Sequence, residues 1–229
     1  MFDPSDLSFF QLLQLSDSAL PIGSMAHSFG VEALVFDGEI EEGAETCAIS
    51  MAAYLDDLLC EGLLVDAVCC REAHARGIDR TQVCDLNEYM SALRLARESR
   101  EASLTMGRRF VALAASLHSD SALLELTRLE ELHHVVAFGY TCGVLTIDAD
   151  LTVGSFLHQA TLNIISAAQR LVQLGQSRAN QIAWNLKPAI ARTVHQSRGF
   201  PLSEVICFAH VADMACMRHP CLPTRLFVS

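Results

Sequence analysis

Apolar positions recur every three or four residues along nearly the whole chain, and strict alternation is hard to find, so the pattern is that of helices rather than strands. The most regular run is 86–117. Tyr89, Leu93, Ala96, Ser103, Met106, Phe110, Leu113 and Leu117 share one stripe, opposite Arg94, Arg97, Glu98, Glu101, Arg108 and Arg109. Ser99 and Ser103 are small residues on that stripe, where another helix can come close. Arg94 with Glu98 and Arg97 with Glu101 are spaced as i,i+4 pairs, each worth about 0.2–0.5 kcal/mol. A second run, 44–74, carries Ile49, Ala52, Ala53, Leu59, Leu63 and Val68, with a break near Gly62 and a C-terminal cap at Gly77. Thr127-Arg128-Leu129-Glu130 has the form of a capping box and predicts a helix through His133, His134, Val136, Gly139, Tyr140 and Gly143. Its two glycines lie one turn apart and invite a close neighbour. The run 156–174 is apolar nearly all round, as a buried central helix is. Gly175 ends it and Ser177 caps the next, which runs amphipathic through Ile182, Leu186, Ile190 and Val194 and is divided at Pro188. The run 202–217 reads as the last helix, and His219-Pro220-Cys221-Leu222-Pro223 cannot continue it. The expected fold is all-α: a single-domain bundle of roughly eight to ten helices over 1–229, with 218–229 as a flexible tail.

The densest punctuation lies near the N-terminus, in Leu15-Ser16-Asp17-Ser18-Ala19-Leu20-Pro21-Ile22-Gly23-Ser24-Met25-Ala26-His27-Ser28-Phe29-Gly30-Val31-Glu32. Pro21 pushes Leu20 out of helical geometry, so the first helix is expected to end there. Gly23 and Gly30 are the places where the backbone can take positive φ. The stretch reads as helix, tight loop, helix, with the second helix over 31–36 ended by Gly38.

Composition narrows the class. The chain has 229 residues and no Pro/Gly/Ser-rich linker, and 51% of its residues are hydrophobic. Mean hydropathy is +0.29, which implies a large core or apolar surface held for a partner. A formal charge of −11 with Lys187 as the only lysine argues against nucleic acid. The longest nearly uncharged stretch, 135–147, is too short to cross a bilayer, so no membrane is expected. Asp3 and Asp6, without a basic region, do not make a secretory leader. Nine cysteines, an odd number, then read as reduced thiols of the cytoplasm, mostly small core residues such as Cys69 and Cys70.

Candidate chemistry is thin. Ala26-His27-Ser28-Phe29-Gly30 departs from the G-x-S-x-G elbow at its first position, but the elbow needs a strand before it and a helix precedes it here. Ser28 reads instead as a helix cap and His27 as bonded to backbone. Cys216, His219 and Cys221 form a weak metal group, of types that suit nickel or zinc, without a structural zinc spacing. His133 falls on an apolar stripe and reads as a satisfied core histidine. There is no phosphate-binding G-x-x-x-x-G-K-[ST]. An acidic, apolar, helical chain without a catalytic constellation fits an interaction protein, and Arg225-Leu226-Phe227 combines residue types enriched at interface hot spots.

The opening stretch also resembles the pattern L-Q-L-x-D-S-A-L-P-x-G-x-x-x-H-S-x-G-x-E of the urease accessory protein UreF family. Arg97-Glu98-Ser99-Arg100-Glu101-Ala102-Ser103, with Gly107-Arg108-Arg109, resembles the family's central helix. His134 with Gly139, Ser166-Ala167-Ala168-Gln169-Arg170-Leu171 with Leu174-Gly175-Gln176, Met217-Arg218-His219 and Arg225-Leu226-Phe227-Val228-Ser229 are similar to further segments. Gln173 stands where the family usually has proline, and Pro220 where it often has glutamate. The resemblance implies a non-catalytic cytoplasmic chaperone that dimerises and holds no cofactor. It would bind the partner called UreD or UreH, recruit the GTPase UreG to apo-urease, and regulate GTP-dependent nickel insertion and lysine carboxylation. It implies partner-binding roles for Arg218, His219, Arg225, Leu226, Phe227 and Ser229. It gives structural or partner-surface roles to Asp17, Ser18, Pro21, Gly23, His27, Ser28, Glu32, Arg100, Glu101, Arg170, Gly175 and Gln176. The alternative is a metallochaperone that hands nickel over directly through Cys216, His219 and Cys221.

Overall fold

The computed structural model describes residues 4–41, 43–75, 80–206 and 209–229, and the expected cap at Gly77 lies outside them. Among the described residues the chain is all-α, with no strand. The helices are α1 (Pro4–Leu15), α2 (Val31–Phe36), α3 (Ala44–Glu61), α4 (Leu63–Ala75), α5 (Arg80–Leu93), α6 (Arg97–Leu117), α7 (Ser121–Leu126), α8 (His134–Val144), α9 (Ala149–Leu171), α10 (Gln176–Asn185), α11 (Lys187–Gln196) and α12 (His210–Arg218). Short 3-10 turns lie at Ser24–Ala26, Leu202–Glu204 and His219–Cys221.

The centre is α8, in which every residue from His134 to Cys142 is buried. Two neighbours approach it at backbone distance because glycine leaves room. A Cβ on Gly139 would strike the carbonyl of Cys70, and one on Gly143 the carbonyl of His74, so α4 lies directly along α8. On the other side, Gly107 of α6 faces the Leu132 carbonyl and the backbone of His133 and His134. α9 packs across α4, α8, α10 and α11. Phe110, His134, Phe138 and Phe156 tie α6, α8 and α9 together, with ring centroids 5.4 Å apart for Phe110–His134 and 5.6 Å for Phe138–Phe156. The core is continuous from Leu12 to Ala215.

The breaks at Gly62 and Pro188 fall where the sequence places them. Other boundaries move, some through partners distant in sequence and some through local hydrogen bonds. The run 86–117 is two helices rather than one. Arg94 turns inward to bond Asp66, with Nη2 2.7 Å from Oδ1, and Ala96 is extended at φ −71° and ψ 117°. The Arg94–Glu98 pair therefore does not form, whereas Arg97–Glu101 does, at 2.7 Å. Thr127 does not open a helix but closes α7, its hydroxyl donating to the Leu124 carbonyl. α8 starts at His134 because Asn87 Oδ1 takes the His133 N–H at 2.7 Å and Ser103 Oγ the His134 N–H at 3.4 Å. Those acceptors come from α5 and α6. α1 ends at Leu15, five residues before Leu20, where the Ser16 hydroxyl donates to the Leu12 carbonyl. α9 starts earlier than the apolar run, on Asp148, whose Oδ1 accepts from Asp150 and Leu151 at 2.9 Å. α10 starts at Gln176 with Gly175 as its cap, not Ser177. The final helix starts at His210 rather than 202.

Candidate functional site

The loop between α1 and α2 and the last residues of the chain are built into one another. Gly23 and Gly30 take positive φ, 90° and 88°, as the sequence requires of them. Gly30 has a second task. A Cβ there would lie 3.0 Å from Cβ of Ala215 and 3.2 Å from the Ala212 carbonyl, so α12 can lie against the start of α2 only because the side chain is absent. Phe29, not a glycine, also sits in the left-handed region at φ 53°.

α2 carries Glu32 toward the C-terminus, where its carboxylate meets two backbone N–H groups and an imidazole nitrogen. Oε1 accepts the Leu226 N–H at 2.6 Å. Oε2 accepts the Phe227 N–H at 3.2 Å and lies 2.8 Å from His219 Nε2. The other ring nitrogen, Nδ1, lies 2.8 Å from Oε2 of Glu98 on α6. Each nitrogen of this fully buried imidazole thus faces a carboxylate oxygen. Arg225 stands 3.8 Å from the same Glu98, and Arg218 bonds Asp37 at 2.7 Å.

The chain end continues along the loop in an extended pairing. Val228 N–H donates to the Ala26 carbonyl at 2.9 Å, and Ser28 N–H to the Ser229 carbonyl at 2.5 Å. His27 Nδ1 meets Ser229 Oγ at 2.6 Å, so His27 is bonded to a side chain and not to backbone. Burial, with the nearby Arg109 guanidinium, lowers the pKa of His27 and favours its neutral form. Phe227 is buried, and the Arg170 guanidinium lies over its ring at 4.4 Å while donating to the Met25 carbonyl at 2.6 Å.

The tail over 218–229 lies against this loop. His219, Phe227 and Ser229 are buried, because the loop supplies backbone and carboxylate partners that the tail's own sequence does not reveal. Ser28 is buried, its Oγ has no hydrogen-bond partner, and its backbone binds Ser229, so it neither caps α2 nor presents a nucleophile. The candidate metal group is not assembled. Both His219 nitrogens are taken by carboxylates, Cys216 is buried with its thiol pushed up to about 12 by burial and by Asp213 and Glu98, and Cys221 is exposed. Among the described residues no set of three His, Cys, Asp or Glu is placed to hold a metal.

The remaining sequence candidates hold other parts of the frame. Asp17 Oδ1 accepts the Ala19 N–H in the turn after α1, and the Asp17 carbonyl accepts from Gln159 at 3.2 Å. Ser18 belongs to the same turn, and Pro21 follows it. Arg100 donates to the Arg94 carbonyl at 3.0 Å, Glu101 pairs with Arg97, and Gln176 accepts from Gln169 at 3.0 Å beside the Gly175 cap. His133 is a satisfied core histidine, bonded to Ser91 at 2.9 Å and Ser103 at 3.0 Å.

Sequence reasoning missed Glu98 and Asp37 as partners of the tail. No local signal marks either, since their partners lie more than a hundred residues away. Around the junction, Met25, Met217, Leu226 and Val228 are exposed, with Arg218 and Arg225 among them. Exposed apolar residues grouped with arginines are the composition of a contact surface rather than of a pocket for catalysis. No helix among the described residues is long and apolar enough to cross a membrane.

Comparison with known proteins gives the same direction. The family model described as UreF matches residues 46–187, more than half of the chain. Curated relatives named urease accessory protein UreF match over nearly full length. That of Lachnoclostridium phytofermentans is 31% identical, covering 95% of this chain and 97% of its own. That of Nostoc sp. is 29% identical over 98% and 97%, and that of Kocuria rhizophila 29% identical over 100% of both. The α4–α8–α9 core lies inside the matched segment, and the full-length relatives extend the likeness to the loop and tail: the chain belongs to the UreF family of urease accessory proteins.

Proposed function

We propose that this protein is a non-catalytic scaffold of urease maturation in the cytoplasm. It works as a homodimer, binds the accessory partner UreD/UreH, and with it recruits the GTPase UreG to apo-urease for GTP-dependent nickel insertion and lysine carboxylation. Nickel is cargo in this reading. The observation that supports it most is the union of the loop with the tail. Arg218, His219, Arg225, Leu226, Phe227 and Ser229, distributed along twelve residues of sequence, belong with the α1–α2 loop to one junction, whose exposed members (Arg218, Arg225, Leu226, Met25, Val228) offer a partner both charge and apolar area.

The test is co-elution on size exclusion of the full chain with its cognate UreD/UreH and UreG, in GTP and in GDP. One shared peak is expected in at least one nucleotide state. Removal of Arg225–Ser229 is expected to abolish the ternary peak while the helical content stays. A chain that elutes alone under every condition, or a truncated chain that recruits UreG unchanged, overturns the proposal.

A further inference from the structure

We infer that the half-enclosed cavity among α4, α5, α6, α8 and α9 is a binding site for a small neutral organic molecule: a ring-sized apolar body carrying one hydroxyl or carboxamide group.

The cavity has a volume of about 130 Å³. An apolar cavity of about 150 Å³ takes up a benzene ring, so the space here suits a molecule of that size. Met90, Met106 and Phe156 give it apolar walls, and Arg94, His134 and Asn163 bring polar groups to it. His134 and Asn163 are each 7% exposed. Arg94 Nε, His134 Nε2 and Asn163 Oδ1 are buried and, among the described residues, have no hydrogen-bond partner. The rest of the Arg94 guanidinium is engaged, Nη2 with Asp66 and Nη1 with Ser99, which leaves Nε over. One buried polar atom without a partner is costly, and three on side chains around one void call for a ligand. Water alone matches these walls poorly. A buried water draws on two to four polar partners, whereas the methionine and phenylalanine walls favour hydrocarbon. An apolar cavity with a few convergent polar groups is the usual form of a small-molecule site.

The unpaired atoms define the head group. Arg94 Nε–H only donates and Asn163 Oδ1 only accepts, so the matching group does both, as a hydroxyl or a carboxamide can. His134 Nε2 serves in either sense, according to its tautomer. Charge is unwelcome. Arg94 is already balanced by Asp66 at 2.7 Å. Burial keeps His134 neutral and raises the carboxyls of Asp66 and Asp213, which also line the cavity. Surroundings that resist charge on their own groups resist it on a ligand. α12 supplies one wall through Asp213 and Cys216. The three unpaired atoms and the apolar walls named above all lie between residues 90 and 163, so the site does not depend on the C-terminal segment.

This site goes beyond the scaffold reading and is measured without any partner. The experiment titrates three probes of one shape, benzyl alcohol, ethylbenzene and benzylammonium, into the full chain isotope-labelled at its methionine methyls. Benzyl alcohol is expected to shift the Met90 and Met106 methyls and to leave Met51, which is buried away from the cavity, in place. Its Kd is expected below about 1 mM, within reach of a ligand of this size. Benzylammonium should bind at least tenfold more weakly. Asn163→Leu removes the acceptor, and is expected to weaken benzyl alcohol at least tenfold without weakening ethylbenzene. Unmoved Met90 and Met106 methyls with benzyl alcohol, which would leave the cavity to water, overturn the proposal. So do equal binding of the ammonium, and an Asn163→Leu variant that binds the alcohol as before or loses both probes alike. The wild-type titrations decide even if the leucine variant does not fold.

Discussion

The α4–α8 seam and the loop–tail junction are joined by opposite physics. In the seam, Gly139 and Gly143 let two backbones touch, and α8 is buried from His134 to Cys142. In the junction, the contacts are hydrogen bonds to Glu32, His219 and the loop backbone, with the apolar residues Met25, Leu226 and Val228 turned outward. Close packing has no intermediate state: the helices fit or the core opens. Hydrogen bonds can be exchanged for water one at a time at modest net cost. The difference assigns the seam to holding the fold and suits the junction to a surface that meets other molecules.

The largest effect of a single substitution is expected where the two backbones touch. Gly139→Val should cost about 3 kcal/mol or more in chemical denaturation, because the Cys70 carbonyl occupies the space and no flexible side chain is there to yield. A loss below about 1 kcal/mol would show that α4 can slide.

Next comes acid. Burial, aided by the Arg94 guanidinium, lowers His133 to about 3 and His134 to about 4, against 6.5 for the free side chain. The unfolded chain therefore takes up protons that the fold refuses. Stability is complete above about pH 6.5 and falls as pH drops, by roughly 1.4 kcal/mol per unit for each histidine, until about pH 4 for His134 and about pH 3 for His133. Asp66 and Asp213, whose carboxyls burial raises, act in the opposite sense at the acid end. Denaturation midpoints at pH 7 and pH 5 check the slope, and equal midpoints would contradict it.

A smaller effect on the fold is expected in the junction. Deleting Arg225–Ser229 removes one buried phenylalanine and a short extended pairing, so global stability should fall by about 1–3 kcal/mol. Thermal unfolding would show a reduced but still cooperative transition. Collapse of the helical signal would mean that the junction also carries the core, erasing the contrast. The smallest effect belongs to the exposed Arg97–Glu101 pair at 2.7 Å, where Glu101→Gln should change stability by no more than about 0.5 kcal/mol.

Much of the fold was legible because it is local. The glycine spacing of α8 announced a close neighbour, Gly62 and Pro188 divided their helices, and positive φ at Gly23 and Gly30 followed from the loop. Two of the misplaced boundaries share a cause: Arg94 turned to Asp66, and the start of α8 took its caps from Asn87 and Ser103. Propensity cannot anticipate a partner supplied by another helix.

The candidate site divides the same way. Sequence alone determined the helical class, the left-handed turns and the two stretches that matter, since periodicity and backbone sterics act within a few residues. Only the tertiary structure decided that those stretches, about two hundred residues apart, are one surface, that Ser28 is a buried backbone donor, and that His219 is held between Glu32 and Glu98. Hydrogen bonds are short-ranged in space and indifferent to separation along the chain, so the fold had to bring the partners together before they could be seen.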